Sequence, residues 1–212
     1  MRYDSIQGTL RYITPGLYFI AMLIYLYWGK ISSIDPALIN QYSDYSAVLV
    51  ILIPFVGFVL GFFLDGVTIG LERLVYIFRV SSPDRKILHG TTNYYYLDAD
   101  LRKLILGNQF GKINSNKSAM PFYQKALQRV GENSIVSRLH DHSVMARNIA
   151  GAQLIVFILS FTVWKGVAGP FKWISLGFFA VLCPYYYHLA CVYMDHLFAE
   201  YGKCLLADKE KK

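Results

Sequence analysis

Residues 46–80 read SAVLVILIPFVGFVLGFFLDGVTIGLERLVYIFRV, and this stretch decides the fold. Ala47 to Leu64 is an uncharged run dominated by Val, Leu, Ile and Phe. At about 1.5 Å of rise per residue it reaches across a hydrocarbon core roughly 30 Å thick. Asp65, Glu72, Arg73 and Arg79 then turn the pattern polar by steps, so one helix is expected to leave the bilayer and continue into water or the headgroup layer. Gly57, Gly61, Gly66 and Gly70 form two small-x-x-x-small pairs, where another helix backbone can approach closely. The stretch is therefore expected to be the packing spine, its glycines joining copies of the chain into a homo-oligomer.

Outward from this helix the chain reads as an all-α polytopic membrane protein with four transmembrane helices and a small helical cytoplasmic insert. The first span, 13–28, holds Tyr18, Tyr25, Tyr27 and Trp28, rings suited to the interface, with Pro15 near its start. Gly29 to Tyr45 has Lys30 as its one base and reads as a short external loop. The second span is 47–64, its helix continuing to 80, so residues 1–80 make the first hairpin. The composition of 81–132 is that of a soluble insert. Ser81-Ser82-Pro83-Asp84 breaks the long helix. Leu97, Leu101, Leu104 and Ile105 predict an amphipathic helix over Leu97 to Leu106, closed by Gly107. Asn108 to Ser118 reads as a basic loop, and Met120 to Val130 as a second amphipathic helix ended by Gly131. Residues 133–198 form the second hairpin. Its first helix, capped by Asn133 or Ser134, shows Ile135, Leu139, Met145 and Ile149 on one face before an apolar span at 149–164. After a turn from Lys165 to Lys172 comes a fourth span at about 171–193. Residues 199–212 are a basic tail.

With 55% apolar and 16% aromatic residues among 212, an ordinary soluble fold is not expected. Three cysteines make no disulfide framework, and the first apolar run lacks a cleavage pattern, so it is expected to remain as an anchor. The net charge of +7 is unevenly distributed. Of 21 Lys and Arg, 18 fall in the N-terminus, residues 73–149 and the tail, leaving Lys30, Lys165 and Lys172 for the external turns. Positive-inside bias thus places both termini and the insert in the cytoplasm, most simply at a bacterial inner membrane.

Three constellations bear on chemistry. Asp65 and Glu72, seven residues apart, share a helical face near the cytoplasmic boundary. Either they join a polar network with Arg73, Arg79 or Arg147, or Asp65 lines a pore. His188, His196 and Glu200 lie along one line of the fourth helix, yet neither a HExxH pattern nor paired cysteines accompany them, so no metal or other cofactor is implied. The third is the cytoplasmic surface, with Arg102, Lys103, Lys112, Lys117, Lys125 and Arg129 interleaved with Tyr94, Tyr95, Tyr96, Phe110, Phe122 and Tyr123. Base and ring together suit lipid headgroups or a protein partner. Because positive-inside bias explains most of the charge, direct nucleic-acid binding is not inferred. No Walker loop, Rossmann glycine pattern, nucleophile elbow or kinase signature occurs.

The size, the four-span layout and the lack of an active-site motif resemble the small membrane subunit of the bacterial Kiwa anti-phage system. The resemblance covers the layout as a whole and matches no individual residue, so no site is carried over. It implies an oligomer associated with a cytoplasmic DNA-binding effector. The expected function is a non-enzymatic subunit that senses envelope perturbation and anchors a cytoplasmic protein. A channel or pore is the alternative, and a membrane metalloenzyme built on His188, His196 and Glu200 comes third.

Overall fold

A computed structural model describes residues 3–27, 46–77, 82–90, 96–113, 115–130, 134–162 and 169–211. Its seven α-helices are α1 (Tyr3–Leu26), α2 (Ser46–Ile77), α3 (Pro83–His89), α4 (Ala99–Leu106), α5 (Asn116–Val130), α6 (Ser134–Thr162) and α7 (Gly169–Glu210). No strand occurs among the described residues. Four helices are long and apolar enough to cross a membrane, through Thr9–Leu26, Val50–Val75, Ile135–Phe161 and Lys172–Glu210. The external loop at 29–45, Lys165, Arg79, Ser81, Tyr94, Tyr95 and the helix stop at Gly131 lie outside the described residues.

The chain divides into two compact units. Unit 1 is drawn from residues 1–70 and 144–185, unit 2 from 71–143 and 186–212, so α2, α6 and α7 contribute to both. Their interiors follow opposite rules. Unit 1 buries small and polar residues, among them Ala146, Ala150, Ala152, Asn148, Gln153, Ser160 and Ser175, and exposes Ile51 (76%), Val50 (72%), Trp173 (72%) and Phe63 (64%). Lipid tails are as apolar as Leu, so packing between such helices is driven by close backbone approach and hydrogen bonds rather than by hiding large side chains. Unit 2 is built like a water-soluble domain. Ile87, Leu88, Leu97, Leu101, Ile105 and Ile113 form one core with Leu197 and Phe198 of α7. The unit is larger than the 81–132 insert, because α7 supplies one wall of its core.

The packing spine is α6 rather than α2. Half of the Ile135–Phe161 span is buried against 17% of Val50–Val75, since Ala146, Ala150, Gly151 and Ala152 give α6 a narrow waist whereas α2 presents bulky side chains outward. The glycines of α2 also divide differently from expectation. Gly57 and Gly61 pack within the chain: a Cβ on Gly61 would lie 1.8 Å from the carbonyl oxygen of Tyr12, and one on Gly16 would lie 1.7 Å from that of Gly57. This pair therefore seats α1 instead of a second copy. Gly66 and Gly70 have open space where a side chain would stand.

Smaller differences have local causes. Pro15 is buried inside α1, not near its start, because the helix begins at Tyr3. In unit 2, α4 starts at Ala99, where the Asp98 carboxylate accepts from the backbone N–H of Leu101 (2.7 Å), and it ends on Gly107 with φ of 49°. The expected loop at 108–118 shortens at both ends. Gly107–Gln109 forms a 3-10 turn, and α5 begins at Asn116, where the backbone N–H of each of Ser115 and Ser118 donates to the other's hydroxyl (3.2 Å). The basic tail is the last turns of α7 as far as Glu210.

Candidate functional site

In unit 1, helical periodicity turns Asp65 of α2 towards Arg147 and Asn148 of α6. The Arg147 guanidinium donates to Asp65 Oδ1 at 2.5 Å, and Asn148 Nδ2 donates to the same oxygen at 3.1 Å. Both charged side chains are 16% exposed. One turn along α2, the Thr68 hydroxyl donates to Asn148 Oδ1 at 2.8 Å. A Cβ on Gly151 would stand 2.0 Å from Thr68 Cγ2, so glycine allows the approach that closes this set. A carboxylate at membrane depth needs a positive partner and further donors, and here it has them. Asp65 thus has Arg147 as its ion-pair partner.

A second polar set crosses the same unit. The Tyr18 hydroxyl of α1 donates to Gln153 Oε1 of α6, whose Nε2 donates to the hydroxyl of Ser175 in α7 at 2.5 Å and to its carbonyl oxygen at 3.2 Å. Gln153 and Ser175 are fully buried. With Asp65–Arg147, α6 is hydrogen-bonded to each of the other three spanning helices. Each bond satisfies a group that lipid could not.

Unit 2 holds the remaining residues. Glu72 accepts a hydrogen bond from the Tyr186 hydroxyl (2.6 Å), while Arg73 is exposed. Asp195, 1% exposed, uses its two oxygens to accept from the backbone N–H groups of Tyr96 (2.9 Å) and Leu97 (3.1 Å), fixing the segment that leads into α4. His196 stacks on the Tyr96 ring with centroids 3.7 Å apart, Glu200 accepts from Lys203 (2.6 Å), and His188 is exposed. These three do not converge, and no group of His, Cys, Asp or Glu among the described residues is arranged to hold a metal ion.

The basic residues are placed unequally. Arg102 is half-buried, donates to the Leu97 carbonyl oxygen (3.4 Å) and lies against Gly90, whose φ of 75° would strain any other residue, so this side chain belongs to the fold. Arg129 pairs with Asp208 on α7 at 2.5 Å, and Lys103 reaches Asp100 only at 4.0 Å. Lys112, Lys117 and Lys125 are exposed and form no ion pair among the described residues. Asp84, at the start of α3, is buried, and that burial raises its pKa above the usual carboxylate value of 3.8, with the negative charge of Glu72 acting in the same direction.

Thr68, Asn148, Gln153 and Ser175 are the residues that periodicity did not single out. Their signal is a polar side chain inside an apolar span, which is weak for one residue and informative only in pairs. No family model, curated protein or solved structure matches the chain.

Proposed function

We propose that the chain is a non-enzymatic, homo-oligomeric membrane subunit that anchors a cytoplasmic protein and passes changes of helix packing in the bilayer to that partner. The observation that carries this reading is the continuity of α2, α6 and α7, which run for 32, 29 and 42 residues without a break and supply residues to both units. A displacement along α6 is carried by a ladder that no proline interrupts, and along α2 and α7 by ladders that lack one bond each, at Pro54 and Pro184, whereas a loop would absorb it. The open space at Gly66 and Gly70 supports contact with a second copy. Unit 2, with a closed core and a basic exterior, supports docking. The distribution of Lys and Arg supports a bacterial inner membrane with both termini inside, and the Kiwa-like layout directs the search for the partner towards a DNA-binding effector of anti-phage defence.

Asp65 is held by Arg147 and Asn148, and Glu72 by Tyr186, which favours an anchoring bundle over a pore lined by these carboxylates. A selective conductance in liposomes, lost in Asp65→Asn, would reverse that preference. The principal test is purification from native membranes in mild detergent, with identification of what accompanies the chain and its mass in native lipid. A defined cytoplasmic protein bound to an oligomer is the expected result. A solitary protomer without a partner overturns the reading.

A further inference from the structure

Between Asp100 and Glu132 the chain carries six basic residues and no carboxylate. Arg102 and Arg129 are engaged by the fold and Lys103 stands on α4 beside Asp100 and the Phe110 ring, leaving Lys112, Lys117 and Lys125 outward on and just before α5. The same segment exposes Phe110 (42%), Met120 (50%) and Leu127 (41%), although the core of unit 2 is already closed by Ala119, Ala126 and Val130 on the opposite side of α5. Met120 and Leu127 are seven residues apart, so they share one edge of the exposed face, with Lys117 beside them and Lys125 on the other flank. Aliphatic side chains next to lysines suit the boundary between headgroups and acyl chains, whereas a nucleic-acid groove calls for several free stacking rings, and among the described residues of this segment Phe110 is exposed while Phe122 and Tyr123 pack against the core of unit 2. Continuity adds a second reason. Only three residues separate the end of α5 at Val130 from the start of α6 at Ser134, and α6 carries a membrane span, so the bilayer is present at high effective concentration.

We propose that residues 110–113 and 115–127 form a docking surface for anionic phospholipid headgroups of the bilayer in which the chain is anchored. Lys112, Lys117 and Lys125 pair with headgroup phosphates while Phe110, Met120 and Leu127 enter the interfacial layer. Each lysine near such a surface strengthens attachment about five-fold, an effect that salt removes. The inference rests on the membrane-subunit reading but requires no protein partner.

The test uses the full chain, free of other proteins, in nanodiscs of phosphatidylcholine alone or with phosphatidylglycerol, followed by hydrogen–deuterium exchange. Peptides covering 110–130 are expected to exchange several-fold more slowly in the anionic discs at low salt, and the difference should vanish at high salt. The Lys112→Glu/Lys117→Glu/Lys125→Glu variant should lose it while peptides from α4 and from 191–199 keep their protection. If that variant fails to fold, the salt titration of the natural chain still decides. Equal exchange in both lipids overturns the proposal, as does protection that arises only when an acidic protein or a nucleic acid is added. Either outcome leaves the anchoring of a partner, measured by copurification, to stand or fall separately.

Discussion

Arg147 and Asp65 each cost free energy to hold away from water, and each is tolerated because the other is there. Removing one partner leaves an uncompensated charge, so Arg147→Ala is expected to destabilise unit 1 by roughly 3–5 kcal/mol, whereas the double variant Asp65→Leu/Arg147→Met should recover most of that loss. Thermal unfolding in detergent of Arg147→Ala and of the double variant checks it. If the double variant is no more stable than Arg147→Ala, the pair is not coupled. Asp84 gives the pH dependence. Burial raises its pKa in the folded state above the unfolded value, so the folded state binds a proton more readily and stability increases as pH falls through the folded value, reaching its full extent below the ordinary value of 3.8. Asp84→Asn should remove this dependence and stabilise unit 2 at neutral pH. Melting temperatures across the acid range, compared with the natural chain, would show it.

At the scale of elements, the close approach of α1 to α2 depends on glycine, because the backbone of Tyr12 occupies the place of a Gly61 side chain. Gly61→Ala should cost about 1–3 kcal/mol as the helices are forced apart, while Gly66→Ala should leave the protomer's stability unchanged. Guanidinium-free thermal melts of both variants separate the two positions. Equal destabilisation would show that Gly66 is packed as well. The four spans were readable because 18-residue apolar runs have few alternatives, and Leu97, Leu101 and Ile105 were readable as a core face from their 3.6-residue period. The importance of α6 was not. Its span looked uniformly apolar because a single Gln153 hardly alters a hydropathy average, and a stripe of Ala and Gly scores as weakly hydrophobic although it is what lets neighbouring helices close in. The α2 glycines were visible as a packing motif, but a motif of that kind specifies close approach and not which helix approaches. Gly16 of the same chain turned out to be one answer.

For the molecule as a whole, the contrast between the two interiors bears on which surfaces suit lipid, while the orientation proposed for the chain rests on its distribution of charge. The most exposed side chains of unit 1 include Ile51, Val50, Trp173 and Phe63, whereas unit 2 closes a core of Ile87, Leu88, Leu97, Ile113, Leu197 and Phe198, so unit 1 is the one whose surface suits lipid. The orientation proposed above from the distribution of Lys and Arg puts residue 112 inside and residue 172 outside, so their accessibility from outside the cell should differ. Intact cells expressing Lys112→Cys should resist a membrane-impermeant maleimide until their membranes are opened. Lys172→Cys should react in intact cells, with the natural chain setting the labelling background. Reaction of Lys112→Cys from outside would reverse the orientation. It would also place the exposed lysines of α5 on the side of the membrane where a cytoplasmic partner never meets them.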